Sequence, residues 1–179
     1  MTTLHLIHRL ARRLAGLAGV LGLAAVSAGA TERPRLVVLT DIGGDPDDTM
    51  SMVRLMTYAN QIDIEGLVAT PTGRRRAEVA PERIQKIIAA YARVRDNLEL
   101  HEPGYPASDY LSERVAQGIP VDGMRGVGEG MDSGGSDLLI RAVDRDDPRP
   151  LWVTVWGGPN VLAQALWKVR ATRSAEGLA

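Results

Sequence analysis

Residues 35–48 constrain this chain more than any other stretch: Arg35-Leu36-Val37-Val38-Leu39-Thr40 runs directly into Asp41-Ile42-Gly43-Gly44-Asp45-Pro46-Asp47-Asp48. The first segment is apolar and β-branched without alternation, as expected of a strand covered on both faces in a parallel sheet. It delivers Asp41 at its carboxyl end. Two glycines then permit a tight turn, and from Asp47 to Asn60 the residues Met52, Leu55, Met56 and Ala59 fall at helical spacing. Ile62 to Thr70 reads as a second strand.

The rest of the chain repeats this alternation. Pro81 to Arg95 places Ile84, Ile87, Ile88 and Tyr91 on one face of a helix that starts at a proline. A loop is expected over 101–108, a short helix over Asp109 to Gln117, a mobile glycine-rich stretch over 123–135 and a helix over Ser136 to Val143. Leu151 to Trp156 reads as another buried strand, leading through Gly157-Gly158 into a helix from Asn160 to Trp167. Strands alternating with helices predict an α/β fold with a mostly parallel open sheet flanked by helices. Only 12 residues follow that last helix, so the sheet is expected to be truncated at its carboxyl-terminal side.

Asp41, Asp45, Asp47 and Asp48 crowd four carboxylates into eight residues. One account is helix initiation, with Asp45 as N-cap, Pro46 in the first helical position, and Asp47 and Asp48 facing the positive end of the helix dipole. That account leaves Asp41 without a task. It stands at the carboxyl edge of the sheet, where open α/β folds place their ligands. A hard divalent cation such as calcium, which takes several oxygen ligands, would use the surplus. An EF-hand does not fit, because Gly43 falls at the third ligand position and Met52 at the twelfth.

The amino terminus reads as an export signal over residues 1–30. His5, His8, Arg9, Arg12 and Arg13 precede an apolar run from Leu14 to Val26, and Ala28-Gly29-Ala30 offers a cleavage site. The run is shorter than the ~20 residues of a bilayer-spanning helix, so no stable membrane anchor is expected after cleavage and the protein is expected to be periplasmic or extracellular. Residues 31–179 then form one domain. Cleavage removes three arginines, leaving 18 basic against 22 acidic residues, a net charge of −4. That balance argues against a nucleic acid as partner. With no cysteine, neither disulfides nor thiolate metal sites are available. Arg74-Arg75-Arg76 reads as a solvated loop, His101 as a surface residue, and Tyr105, Tyr110 and Trp167 either as packing or as a sugar platform.

Strand-Asp-x-x-x-x-x-Asp-Asp-helix resembles the amino-terminal signature of the inosine-uridine nucleoside hydrolases, Asp-x-Asp-Pro-Gly-x-Asp-Asp. Together with Val127-Gly128-Glu129-Gly130 and Val155-Trp156-Gly157-Gly158-Pro159-Asn160, it is similar to a group of secreted bacterial cellulose-binding proteins with a nucleoside-hydrolase-like amino-terminal domain. The resemblance implies calcium as cofactor and, as ligand, a small ribosyl compound or another carbohydrate. It further implies Asp48 and Asp41 as calcium ligands, Asp47 and Asn160 as substrate contacts, and the main-chain carbonyl of Trp156 or Gly157 as a further ligand. The middle aspartate of the signature, a ligand and the catalytic base, falls on Gly43. Asp45 would have to replace it as ligand, with Asp45 or Asp41 taking the proton from the attacking water.

The implied activity is calcium-dependent hydrolysis of N-glycosidic bonds, weak or absent in these 179 residues. The alternative is a non-catalytic exported carbohydrate-binding protein on the same scaffold. The sequence leaves the oligomeric state, the sugar and the base open.

Overall fold

In the computed structural model, which describes residues 32–71 and 78–178, β1 (Arg35–Thr40) forms the spine of a four-stranded parallel sheet. Its partners are β2 (Asp63–Ala69) on one side and β4 (Leu151–Val155) on the other, and the three-residue β3 (Val115–Gln117) flanks β2, giving the order β3-β2-β1-β4. The expected export signal and the Arg74-Arg75-Arg76 cluster lie outside the described residues.

The unbroken apolar character of β1 follows from its position. Leu36 and Val38 face one layer of helices, and Val37 and Leu39 face the other. The first layer holds α1 (Pro46–Thr57), α2 (Pro81–Ala92), α3 (Arg95–His101) and α4 (Ser108–Ser112). Met52, Leu55, Met56, Ile84, Ile88, Tyr91 and Leu111 pack there against Val38, Ile64 and Leu67. The second layer holds α5 (Gly134–Val143) and α6 (Asn160–Thr172), which bring Leu138, Leu139, Ala142, Val161 and Ala165 against Val37, Leu39 and Val68. Among the described residues no helix is long and apolar enough to cross a membrane.

Four local expectations change. β4, expected as a buried strand, is an edge strand with Trp152 and Val155 exposed. Residues 109–117 are not one helix: α4 ends at Ser112, and 115–117 form β3, a strand too short for any periodicity to show. The helix expected over 81–95 breaks at Arg93-Val94, and α3 starts anew. The glycine-rich stretch is tied down, because the Gln164 side chain accepts from the Gly128 N–H at 2.7 Å and donates to its carbonyl at 3.0 Å. Gly123–Gly126 forms a 3₁₀ turn, and Ser133 closes a capping box on Ser136 to start α5.

The aromatic side chains divide by burial. Tyr105 is a core residue whose hydroxyl donates to the Thr57 carbonyl, and Tyr110 donates to Asp63 beneath the Arg114 guanidinium. Both serve packing. Trp167 stays partly exposed on α6, and His101 is exposed at the end of α3.

Tyr91 is buried, with its hydroxyl donating to the Pro106 carbonyl at 2.7 Å, and burial pushes its pKa from 10.0 up to about 12. Above pH 10 the unfolded chain therefore sheds this proton while the folded chain keeps it until about 12, so stability must fall across that window. Urea midpoints measured at pH 9 and 11.5 are expected to drop steeply in the wild type. In Tyr91→Phe the drop should shrink to the slope left by Tyr110, whose pKa burial also raises.

Candidate functional site

The site grows out of the carboxyl ends of β1, β2 and β4. The connection from β1 leads to β2 on one side while β4 enters on the other, so Asp41 leaves the sheet at a point where the strand order reverses. Open α/β sheets form their ligand crevice at such a point. Ile42, fully buried, anchors the following loop in the first core layer. Gly43 adopts φ +100°, in the left-handed region, and the Gly44 N–H closes the turn on the Asp41 carbonyl at 3.0 Å.

This turn sorts the four carboxylates. Asp45 takes the extended N-cap conformation of α1, with its side chain exposed and not hydrogen-bonded as a cap. Asp47 is also exposed, and its carboxylate accepts from the Asp48 N–H at 3.0 Å. Asp48, one residue further round the helix, points inward: it is buried, and Thr40 donates its hydroxyl to the carboxylate at 2.6 Å. Asp41 is half-buried beside it. Burial pushes the Asp41 carboxyl above the usual carboxylate range, and both the charge of Asp48 and the hydrogen bond between the two carboxyls push the same way.

The turn after β4 forms the other wall. A Cβ on Gly157 would collide with the Asp41 carboxylate, so glycine at this position lets the carboxyl lie flat against the backbone. Gly158 has φ +59°, and a Cβ there would strike the Thr70 side chain. Thr70, buried at the end of β2, donates its hydroxyl to the Gly157 carbonyl at 2.9 Å and its N–H to the Thr40 carbonyl at 2.8 Å. The three strand ends are thereby latched around Asp41. Trp156 continues the β4 register, its N–H bonded to the Leu39 carbonyl at 2.8 Å, and its side chain packs on the first core layer.

The structure brings Asp41 and Asp48 together and leaves Asp45 outside the pair. Among the described residues no three His, Cys, Asp or Glu side chains gather closely enough to hold a metal ion. The three-carboxylate shell expected of Asp41, Asp45 and Asp48 is thus reduced to two, because the Gly43-Gly44 turn sends Asp45 to the helix cap. Two adjoining carboxylates at a helix N-terminus still suit a hard divalent cation as part of its shell, with water and ligand hydroxyls completing six to eight oxygens. One lone pair of the Gly157 carbonyl is already used by Thr70, which leaves Trp156 the freer of the two carbonyls named from the sequence.

Asn160, expected to meet substrate, is buried, and its amide donates to the Val121 carbonyl at 3.0 Å. It ties α6 to the segment before the glycine-rich stretch. Sequence reasoning did not single out Thr40, Thr70 or Arg83, the last of which lies over Gly43. Thr40 and Thr70 carry a readable signal, a polar residue closing an apolar strand. Arg83 carries none, since helix packing alone brings it to the loop. A cavity of about 740 Å³ lies away from the site, lined by Glu65, Tyr110, Arg114, Arg141 on α5 and Arg145 just beyond its end. None of the four loop aspartates reaches it.

Comparison with known proteins agrees with this architecture. A solved structure of a nucleoside hydrolase-related hypothetical protein from Saccharophagus degradans, associated with carbohydrate metabolism, matches with a TM-score of 0.78 at 44% identity. The match covers 82% of this chain and 36% of that one, so the chain spans about a third of the relative's length. No curated protein matches the chain. Residues 35–179 match the family described as cellulose-binding Sde182, nucleoside hydrolase-like domain, and the chain belongs to that family.

Proposed function

We propose that the acidic corner is a calcium-assisted carbohydrate-binding site on an exported protein, and that it binds sugar rather than cleaving it. The observation that carries this reading is the Asp41–Asp48 pair, clamped between the Thr40 hydroxyl and the Gly157 backbone at the reversal point of the sheet. Fixed carboxylates accept hydrogen bonds from vicinal sugar hydroxyls, and Thr40 holds Asp48 in one rotamer so that little ordering remains for the ligand to impose. Calcium, when bound, would supply further oxygen-binding positions for those hydroxyls. Asp47, exposed at the mouth, is available to a further hydroxyl. Support also comes from the cellulose-binding description of the family and from the carbohydrate association of the Saccharophagus degradans protein.

A second reading, calcium-dependent hydrolysis of an N-glycosidic bond, is favoured by the retained Asp47-Asp48 pair and by the nucleoside-hydrolase-like scaffold. In that reading Asp41 is the carboxylate placed to accept a proton from water, because Asp45 stands outside the pair. Calorimetric titration of the chain with calcium, then with cellobiose or ribose, tests the binding site. Calcium is expected to bind in the ~10⁻⁴–10⁻³ M range typical of open extracellular sites, and Asp48→Asn should weaken it at least about tenfold. Absence of both calcium and sugar binding would sink the proposal. Release of nitrophenol from a nitrophenyl riboside by the wild type, lost in Asp41→Asn, would replace it with the hydrolase.

A further inference from the structure

Arg83, the third residue of α2, lies against the acidic loop. A Cβ on Gly43 would stand 2.7 Å from its Nε and 3.0 Å from its Cζ. This is a poor place for a cation on helix grounds alone, since the amino end of α2 already carries a positive dipole. Among the described residues the guanidinium nevertheless makes no ion pair and no side-chain hydrogen bond, and neither does Lys86 one turn further along. Both line a cavity of about 340 Å³ with Glu82, Ile87 and Thr49, and Thr49 directly follows Asp48 on α1. Two cations without a direct partner among the described residues thus border a hollow that includes Thr49, the residue after Asp48. Glu82 offsets one of them, leaving a net charge of +1.

A sugar held by its hydroxyls at Asp41 and Asp48 would present a substituent to this hollow. The carboxylate pair repels an anionic ligand, so such a ligand could dock only with its charge turned away from the pair and toward a cation. Arg83 offers a planar fork matched to an oxyanion, and Lys86 adds a point charge on the same wall. We propose that Arg83 and Lys86 form an anion subsite beside the acidic corner, which selects sugars bearing a carboxylate or phosphate. This inference rests on the reading of the Asp41–Asp48 pair as a sugar site.

The test compares glucose, glucuronate and glucose 6-phosphate, which differ at one carbon, by calorimetry on the full chain with calcium at about 50 mM and about 500 mM salt. The better-fitting acid is expected to bind about tenfold tighter than glucose at low salt, with the advantage shrinking at high salt. Arg83→Gln should bring the ratio of acid to glucose affinity down to about one, while Arg83→Lys should keep part of it. Whichever acid shows the larger ratio identifies the oxyanion. If glucose binds and neither acid binds more tightly, or if Arg83→Gln leaves the ratio unchanged, the anion subsite is wrong and the sugar site stands. If none of the three binds while cellobiose or ribose does, the anion subsite is wrong and the sugar site stands.

Discussion

Replacing Glu65 with alanine is expected to destabilise the fold by about 3–5 kcal/mol, because it breaks a buried ion pair. Glu65 sits at the opposite end of the sheet from the acidic corner. Its carboxylate accepts from Arg35 Nε at 2.5 Å and from a terminal nitrogen at 3.0 Å, and Arg145 adds a third contact at 2.9 Å. Arg35 is only 2% exposed and also donates to the main-chain carbonyls of Ala142 and Arg149. Removing the carboxylate strands this buried guanidinium with two neutral acceptors and Asp147 at 3.7 Å. The cost is dominated by the uncompensated charge, not by the lost attraction.

The double variant Arg35→Met/Glu65→Leu should therefore recover most of the stability that Glu65→Ala loses. Urea unfolding of the three proteins measures both quantities. A loss below about 1 kcal/mol in Glu65→Ala would mean that Asp147 takes over as counter-ion. Asp147 is well prepared for that task, since its hydrogen bonds from Arg149 hold its carboxyl far below the usual carboxylate range.

The same pair shows where sequence reasoning stops. Arg35 heads an apolar strand, and nothing in its neighbours says that it is buried. It becomes so because the β1–β2 register shifts between Leu36 and Val37, which makes Glu65 the extra residue on β2 and turns its side chain toward Arg35. A one-residue irregularity leaves no periodic trace. By contrast β1, α1 and β2 were readable, because an apolar strand, a proline-started helix and a second apolar strand each span enough residues to show a period. β3, with three residues, does not.

The site divides along the same line. Asp41 at a strand end and Asp48 in the first turn of a helix are both positioned by local structure, and the resemblance to the hydrolase signature singled them out from the four carboxylates that spacing alone left open. The position of Asp45 depends on the hand of the Gly43-Gly44 turn, which either of two glycines could have taken differently. The latch from Thr70 to Gly157 joins residues 87 apart in sequence, and Arg83 reaches Gly43 only through the packing of α2 beside the loop. Contacts of that kind follow from the assembled sheet and helices, not from any segment alone.

Gly157→Ala is expected to abolish calcium binding at the acidic corner while leaving the domain folded. The residue does not adopt a positive φ, so alanine meets no backbone objection, unlike at Gly158. What it meets is the Asp41 carboxylate, which all three nearest contacts of the added Cβ involve. The carboxyl must rotate away from its place beside Asp48. Crowding of this kind costs about 1–3 kcal/mol, offset in part because two like charges separate. Calcium at about 100 times its dissociation constant should stabilise the wild type by about 2.7 kcal/mol, raising Tm by roughly 5–10 °C for a domain of this size. In Gly157→Ala the calcium-dependent rise should vanish. Asp41→Asn keeps the shape and removes one charge, so a loss there as well assigns the effect to Asp41 itself. A full calcium-dependent rise in Gly157→Ala would place the cation elsewhere, and the Asp41–Asp48 pair would then be only the paired start of a helix and end of a strand.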